Sequence, residues 1–105
     1  MTTFDKREET FERKFVLDEE QKFKAEARRN KLLGLWAAEK QGISGEAAKT
    51  YAKEVVAADF EEPDGAARKV SGDLAAKGVS VTEPQIRAKL DEFLALAILQ
   101  VKAGT

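Results

Sequence analysis

The side chains able to do chemistry in this 105-residue chain fall into three groups. Asp59, Glu61, Glu62 and Asp64 crowd one short stretch and offer the oxygen ligands that hard cations take. Their spacing matches no EF-hand loop, and a solvated, capped helix junction accounts for them better. Arg28, Arg29 and Lys31 can hold phosphate or face a carboxylate-rich surface, with Trp36 or Tyr51 available to stack a base. No Gly-rich phosphate loop accompanies them, so a nucleotide site would have to be built on a helix surface, and most basic helix patches are merely solvated. Phe4, Phe11 and Phe15 stand at i, i+7 and i+11, which is one helical face. Such a stripe either packs on its own core or anchors in a partner's groove.

What is missing narrows the chemistry further. The chain has no His and no Cys. Thiolate nucleophiles, disulfides, zinc fingers and any triad with His as base are excluded, and so is a His-based pH switch. Catalysis would have to run on carboxylates and Lys alone, so no enzyme, no catalytic residue and no metal site are expected. Lys plus Arg total 18 against 19 Asp plus Glu, a net charge of −1. That balance gives no electrostatic footprint for nucleic acid. The opening MTTFDKREETFERKF has no apolar run of the kind an export signal carries. The longest apolar stretch, Phe93 to Leu99, is too short to span a bilayer. A cytoplasmic protein that does not insert into the membrane is expected.

Gly and Pro cut the chain into helix-length pieces, with breaks at Gly42–Gly45, Glu61–Gly65 and Gly78–Pro84. Gly42 suits a left-handed position after a helix, Ser44 and Asp64 are placed to cap the next two, and Thr82-Glu83-Pro84-Gln85 reads as a capping box. Between the breaks the apolar spacing is helical: Tyr51, Ala52, Val55, Val56 and Phe60 in one piece, Ala67, Val70, Leu74 and Ala75 in the next. The last piece, from Ile86 to Val101, is apolar around much of its circumference, which predicts that it lies at the centre of the fold. No alternating run is long enough for a sheet. The fold expected is all-α, a small four-helix bundle over 18–105 with helices near 18–41, 45–61, 65–77 and 83–102.

The first 30 residues hold 16 charges, eight of each sign. Their apolar residues are few and large, and an isolated helix of this composition is marginal in water. Residues 1–17 are therefore expected to form a partly disordered or extended-helical arm that folds on a partner.

Phe4-Asp5-Lys6-Arg7-Glu8, Phe11-Glu12-Arg13-Lys14-Phe15 and the run from Arg28 to Ala38, RRNKLLGLWAA, resemble the zeta subunit family of alphaproteobacterial ATP synthases. The last of these is the specific part, and the resemblance extends over the whole chain. It implies a four-helix bundle with an N-terminal inhibitory segment. That segment enters a catalytic alpha–beta interface of the F-type ATP synthase beside the gamma subunit and blocks rotation in the ATP-hydrolysis direction. By this likeness Phe4, Arg7, Glu8, Phe11, Arg13, Lys14 and Phe15 are the partner-binding residues. The protein would be a monomer when free, peripheral to the inner membrane through the synthase. The resemblance implies no cofactor beyond weak ATP or ADP binding. The alternative reading is a small helical nucleotide-binding or adaptor protein without strong inhibitory activity.

Overall fold

The computed structural model describes residues 17–104. Four helices follow one another: α1 Glu19–Lys40, α2 Gly45–Glu61, α3 Gly65–Ala76 and α4 Glu83–Lys102. No strand occurs among the described residues, and the protein is an all-α bundle. The inhibitory-arm residues Phe4, Arg7, Glu8, Phe11, Arg13, Lys14 and Phe15 lie outside the described residues.

Two helices begin at complete capping boxes. At α1, Asp18 Oδ1 accepts from the Gln21 N–H at 2.7 Å and Gln21 Oε1 accepts from the Asp18 N–H at 3.2 Å. At α4, Thr82 Oγ1 accepts from the Gln85 N–H at 3.3 Å and Gln85 Oε1 accepts from the Thr82 N–H at 2.8 Å. Each box satisfies two backbone donors that a helix start leaves without intrahelical partners. Thr82→Ala is expected to cost about 1 kcal/mol, and Thr82→Ser to restore most of it. Urea unfolding would show this as a lower midpoint at unchanged slope.

The two other helix starts differ from the expectation. Ser44 occupies the N-cap position of α2, but its side chain makes no capping bond. Asp64 occupies that position in α3 with φ 60°, in the left-handed region, and its carboxylate does not cap. The α3 start is held from the preceding helix instead: Asp59 Oδ1 accepts from the Ala66 N–H at 3.3 Å. The tight α2–α3 corner turns the Asp64 carboxylate away and brings Asp59 within reach.

The centre of the bundle is α1, not α4 as the apolar pattern predicts. Helix α1 packs on each of the other three and buries Ala25, Asn30, Leu33, Gly34, Ala37 and Ala38. Helix α4 buries only Ile86 and Ala97, while Leu96 and Leu99 stay 40% and 57% exposed. The physical reason is side-chain size. Gly34, Ala37 and Ala38 let neighbouring backbones come close, so that a Cβ on Gly34 would lie 2.7 Å from the Ala52 Cα. Leu33, Val55, Val70, Leu74 and Ile86 are the largest fully buried side chains of the core, with Trp36, Leu90 and Phe93 packed against it. Asn30, the one buried polar side chain among the described residues, accepts from Arg29 Nε at 3.1 Å.

Candidate functional site

The α1–α2 hairpin is antiparallel, since Gly34 meets Ala52 near its closed end and Arg29 meets Asp59 farther out. At its open end Phe23 faces Phe60, ring centroids 5.4 Å apart and planes tilted by 34°. Both rings remain more than half exposed, at 56% and 63%. Two adjacent, largely exposed Phe are unusual on a protein surface and mark a place where something can bind.

Phe23 also borders a groove of about 580 Å³. Phe23, Ala27, Val56 and Val101 supply its apolar lining, and Lys24, Arg28 and Lys31 form a basic edge along α1. Lys24 pairs with Glu20 at 3.1 Å, an exposed contact of little energetic weight. Arg28 Nη1 donates to Gln100 Oε1 of α4 at 3.5 Å, which ties the edge to the C-terminal end of the last helix. The site therefore offers apolar area beside positive charge, the chemistry of a surface that receives an amphipathic, partly acidic segment.

The basic residues considered for phosphate do not converge. Arg28 and Lys31 border the groove. Arg29 lies about 100° round the helix from Arg28 and pairs with Asp59 at 3.5 Å. Trp36 lies about 140° round from Lys31 and packs on the core, with the Lys40 and Lys89 ammonium groups 5.8 and 5.9 Å from its ring. Tyr51 is buried and donates its hydroxyl to Asp73 Oδ2 at 2.8 Å. Burial, and then that carboxylate, push its phenol well above the ordinary tyrosine range.

Three of the four acidic side chains, Asp59, Glu62 and Asp64, are engaged in ion pairs. Asp59 holds Arg29 and the α3 start, Glu62 meets Arg68 at 3.5 Å, and Asp64 takes Arg87 in a two-pronged pair at 2.9 and 2.8 Å. No group of three or more carboxylates among the described residues could hold a metal ion. The Arg87 guanidinium holds the Asp64 carboxyl below its ordinary value of 3.8. A group with a depressed folded-state pKa stabilises the fold at neutral pH and loses that contribution as pH falls through the folded value. Asp64→Asn keeps a residue tolerant of the left-handed region. It should lower the melting temperature slightly at pH 7, by an amount that shrinks towards acid pH and high salt.

No local motif marks Phe23 and Phe60 as partners. The signal was available in the hairpin register: Phe23 lies 17 residues before the end of α1 and Phe60 lies 15 after the start of α2. Two antiparallel helices joined by a short loop bring those positions side by side.

The ATPase inhibitor subunit zeta family matches residues 1–100. The chain belongs to that family. A protein solved by solution NMR is 50% identical and superposes with a TM-score of 0.68, over 79% of this chain and 96% of that one. Comparison with curated proteins gives no match. The family match includes the residues before Leu17 as well as the bundle. No helix among the described residues is long and apolar enough to cross a membrane. Association with an ATP synthase, and a role as an inhibitor, follow from membership.

Proposed function

We propose that this chain inhibits the F-type ATP synthase by inserting residues 1–17 at a catalytic alpha–beta interface beside gamma, which blocks rotation in the hydrolytic direction. The observation that carries this reading is the family match over both the N-terminal segment and the bundle. The physical support is the division of labour along the chain. The described residues carry their own capping box at the start of the first helix and a core of fully buried side chains. The segment before it combines Phe4, Phe11 and Phe15 with charges of both signs. In a partner's cleft the Phe side chains supply apolar anchors, while Arg7, Arg13 and Lys14 meet acidic groups and Glu8 meets basic ones. The bundle keeps the segment at high effective concentration once docked.

Adding the full chain to purified synthase should lower ATP hydrolysis in a saturable way and leave synthesis much less affected. Equal loss in both directions would argue against a directional block. Weak adenine-nucleotide binding remains a separate proposal, for which Arg28 and Lys31 at the groove edge are the supporting residues. Localised, saturable amide shifts there on ATP titration would support it, and their absence would remove it.

A further inference from the structure

We infer that the groove beside Phe23 is a second docking surface for the ATP synthase, one that takes an acidic amphipathic helix on the outside of the enzyme. The choice of partner rests on the inhibitory reading above, and the inference adds to it the face by which the bundle is held. Lys24, Arg28 and Lys31 stand at i, i+4 and i+7 along α1, and Phe23 and Ala27 form the ridge beside them. Val56 of α2 and Val101 of α4 complete the apolar floor. Among the described residues no acidic side chain lines the groove.

Charge and pattern select the occupant. Two parallel ridges, one apolar and one basic, are matched at once by a helix with an apolar stripe and carboxylates along one flank of it. From Gln21 to Lys31 the edge of α1 runs about 15 Å, which is about three turns of such a helix. Phe23, with Phe60 stacked on it and both more than half exposed, supplies the large aromatic surface that interfaces use as anchors. Position selects the partner. Gln21 lines the end of the groove that lies three residues after the Asp18 cap, where the described chain begins. A complex that holds residues 1–17 therefore stands against the same end of the bundle. Two linked contacts bind far more tightly than either alone, because the second forms at high effective concentration.

The experiment titrates purified synthase with the full chain and reads ATP hydrolysis. Phe23→Ser/Phe60→Ser and, separately, Lys24→Glu/Lys31→Glu should each raise the half-inhibitory concentration by about tenfold or more. The residual hydrolysis at saturation and the helix content should not change. Lys77→Glu, the same charge change at a residue that does not border the groove, should leave the titration where it is. Carbodiimide, which joins an amine to a carboxylate in contact with it, should couple Lys24 or Lys31 to an Asp or Glu of the synthase. Groove variants that inhibit at the parent's concentration would overturn the inference and leave the inhibitory reading standing. So would coupling confined to lysines outside the groove. A parent chain that sediments as a dimer and turns monomeric in Phe23→Ser/Phe60→Ser would also overturn it, because the occupant would then be a second copy. If the parent does not inhibit at all, the inhibitory reading fails by itself. Docking is then read from the fluorescence anisotropy of a dye attached through Ser80→Cys, a single site because the chain has no Cys. Saturable binding to the synthase that the groove variants weaken would support the inference, and binding that they leave unchanged, or no binding, would overturn it.

Discussion

A chain that begins at Leu17 is expected to keep its bundle and lose its inhibition of ATP hydrolysis. The bundle should survive because, among the described residues, the first helix cap and the buried core all lie at Asp18 and beyond. The α1 start is fixed by Asp18 and Gln21, and the fully buried side chains Leu33, Val55, Val70, Leu74 and Ile86 all lie downstream. Far-UV circular dichroism and the melting temperature should therefore change little. The inhibition should be lost because the removed segment carries Phe4, Phe11 and Phe15. Burying a Phe side chain contributes roughly 1.5–3 kcal/mol before ordering costs. A single Phe11→Ala change in the full chain should thus raise the half-inhibitory concentration by about one to two orders of magnitude, at 1.4 kcal/mol per tenfold. The assay compares hydrolysis by purified synthase with full-length, truncated and Phe11→Ala protein at matched concentrations. If the truncated chain inhibits as well as the full one, the inhibitory element is the bundle, and the groove at Phe23 and Phe60 becomes the surface to mutate.

The balance of charge sets how this capture depends on salt. Arg7, Arg13 and Lys14 alternate with Glu8, Glu9 and Glu12, so the segment carries little net field. Long-range steering is weak, and the charges act by register at close range. Salt should weaken inhibition only modestly, in contrast to a strongly basic segment that binds by attraction at a distance.

The helices were legible because their punctuation is local. Thr82 to Gln85 spells out a capping box, and Gly42 takes the positive φ of 77° that its place after α1 predicts. The sequence is less transparent where one element acts on another. Asp64 looks like a cap and instead pairs with Arg87, twenty-three residues on, while Asp59 does the capping from the previous helix. Apolar content makes α4 look central, yet close packing favours the small residues of α1. The candidate groove is assembled from α1, α2 and the end of α4, and no single stretch of sequence announces it. Its basic edge was visible in Arg28 and Lys31, whereas its aromatic pair required the hairpin register.

Changing Gly65 to Ala should destabilise the bundle more than any other Gly-to-Ala change in the described residues. A Cβ at this position would lie 1.8 Å from the Ala58 carbonyl oxygen and 2.5 Å from its carbon. Those are backbone atoms of the last turns of α2, so no side-chain rotation relieves the overlap. The corner between α2 and α3 would have to open, taking with it the Asp59 bond to the Ala66 N–H and the alignment of Asp64 with Arg87. Ordinary overpacking costs about 1–3 kcal/mol, and Gly65→Ala should reach or exceed the top of that range. The gain in helix propensity, about 1 kcal/mol, does not offset it. The same substitution elsewhere gives an internal scale. At Gly34 the new methyl would meet the Ala52 Cα at 2.7 Å, so α1 and α2 must move apart and a smaller net loss follows. At Gly72 nothing lies within 4 Å, and Ala should stabilise α3 by about 0.5–1 kcal/mol. Urea unfolding of the three variants should rank them Gly72→Ala above the parent, then Gly34→Ala, then Gly65→Ala. A Gly65→Ala protein as stable as the parent would show that the α2–α3 corner is not the tight junction on which the third helix depends.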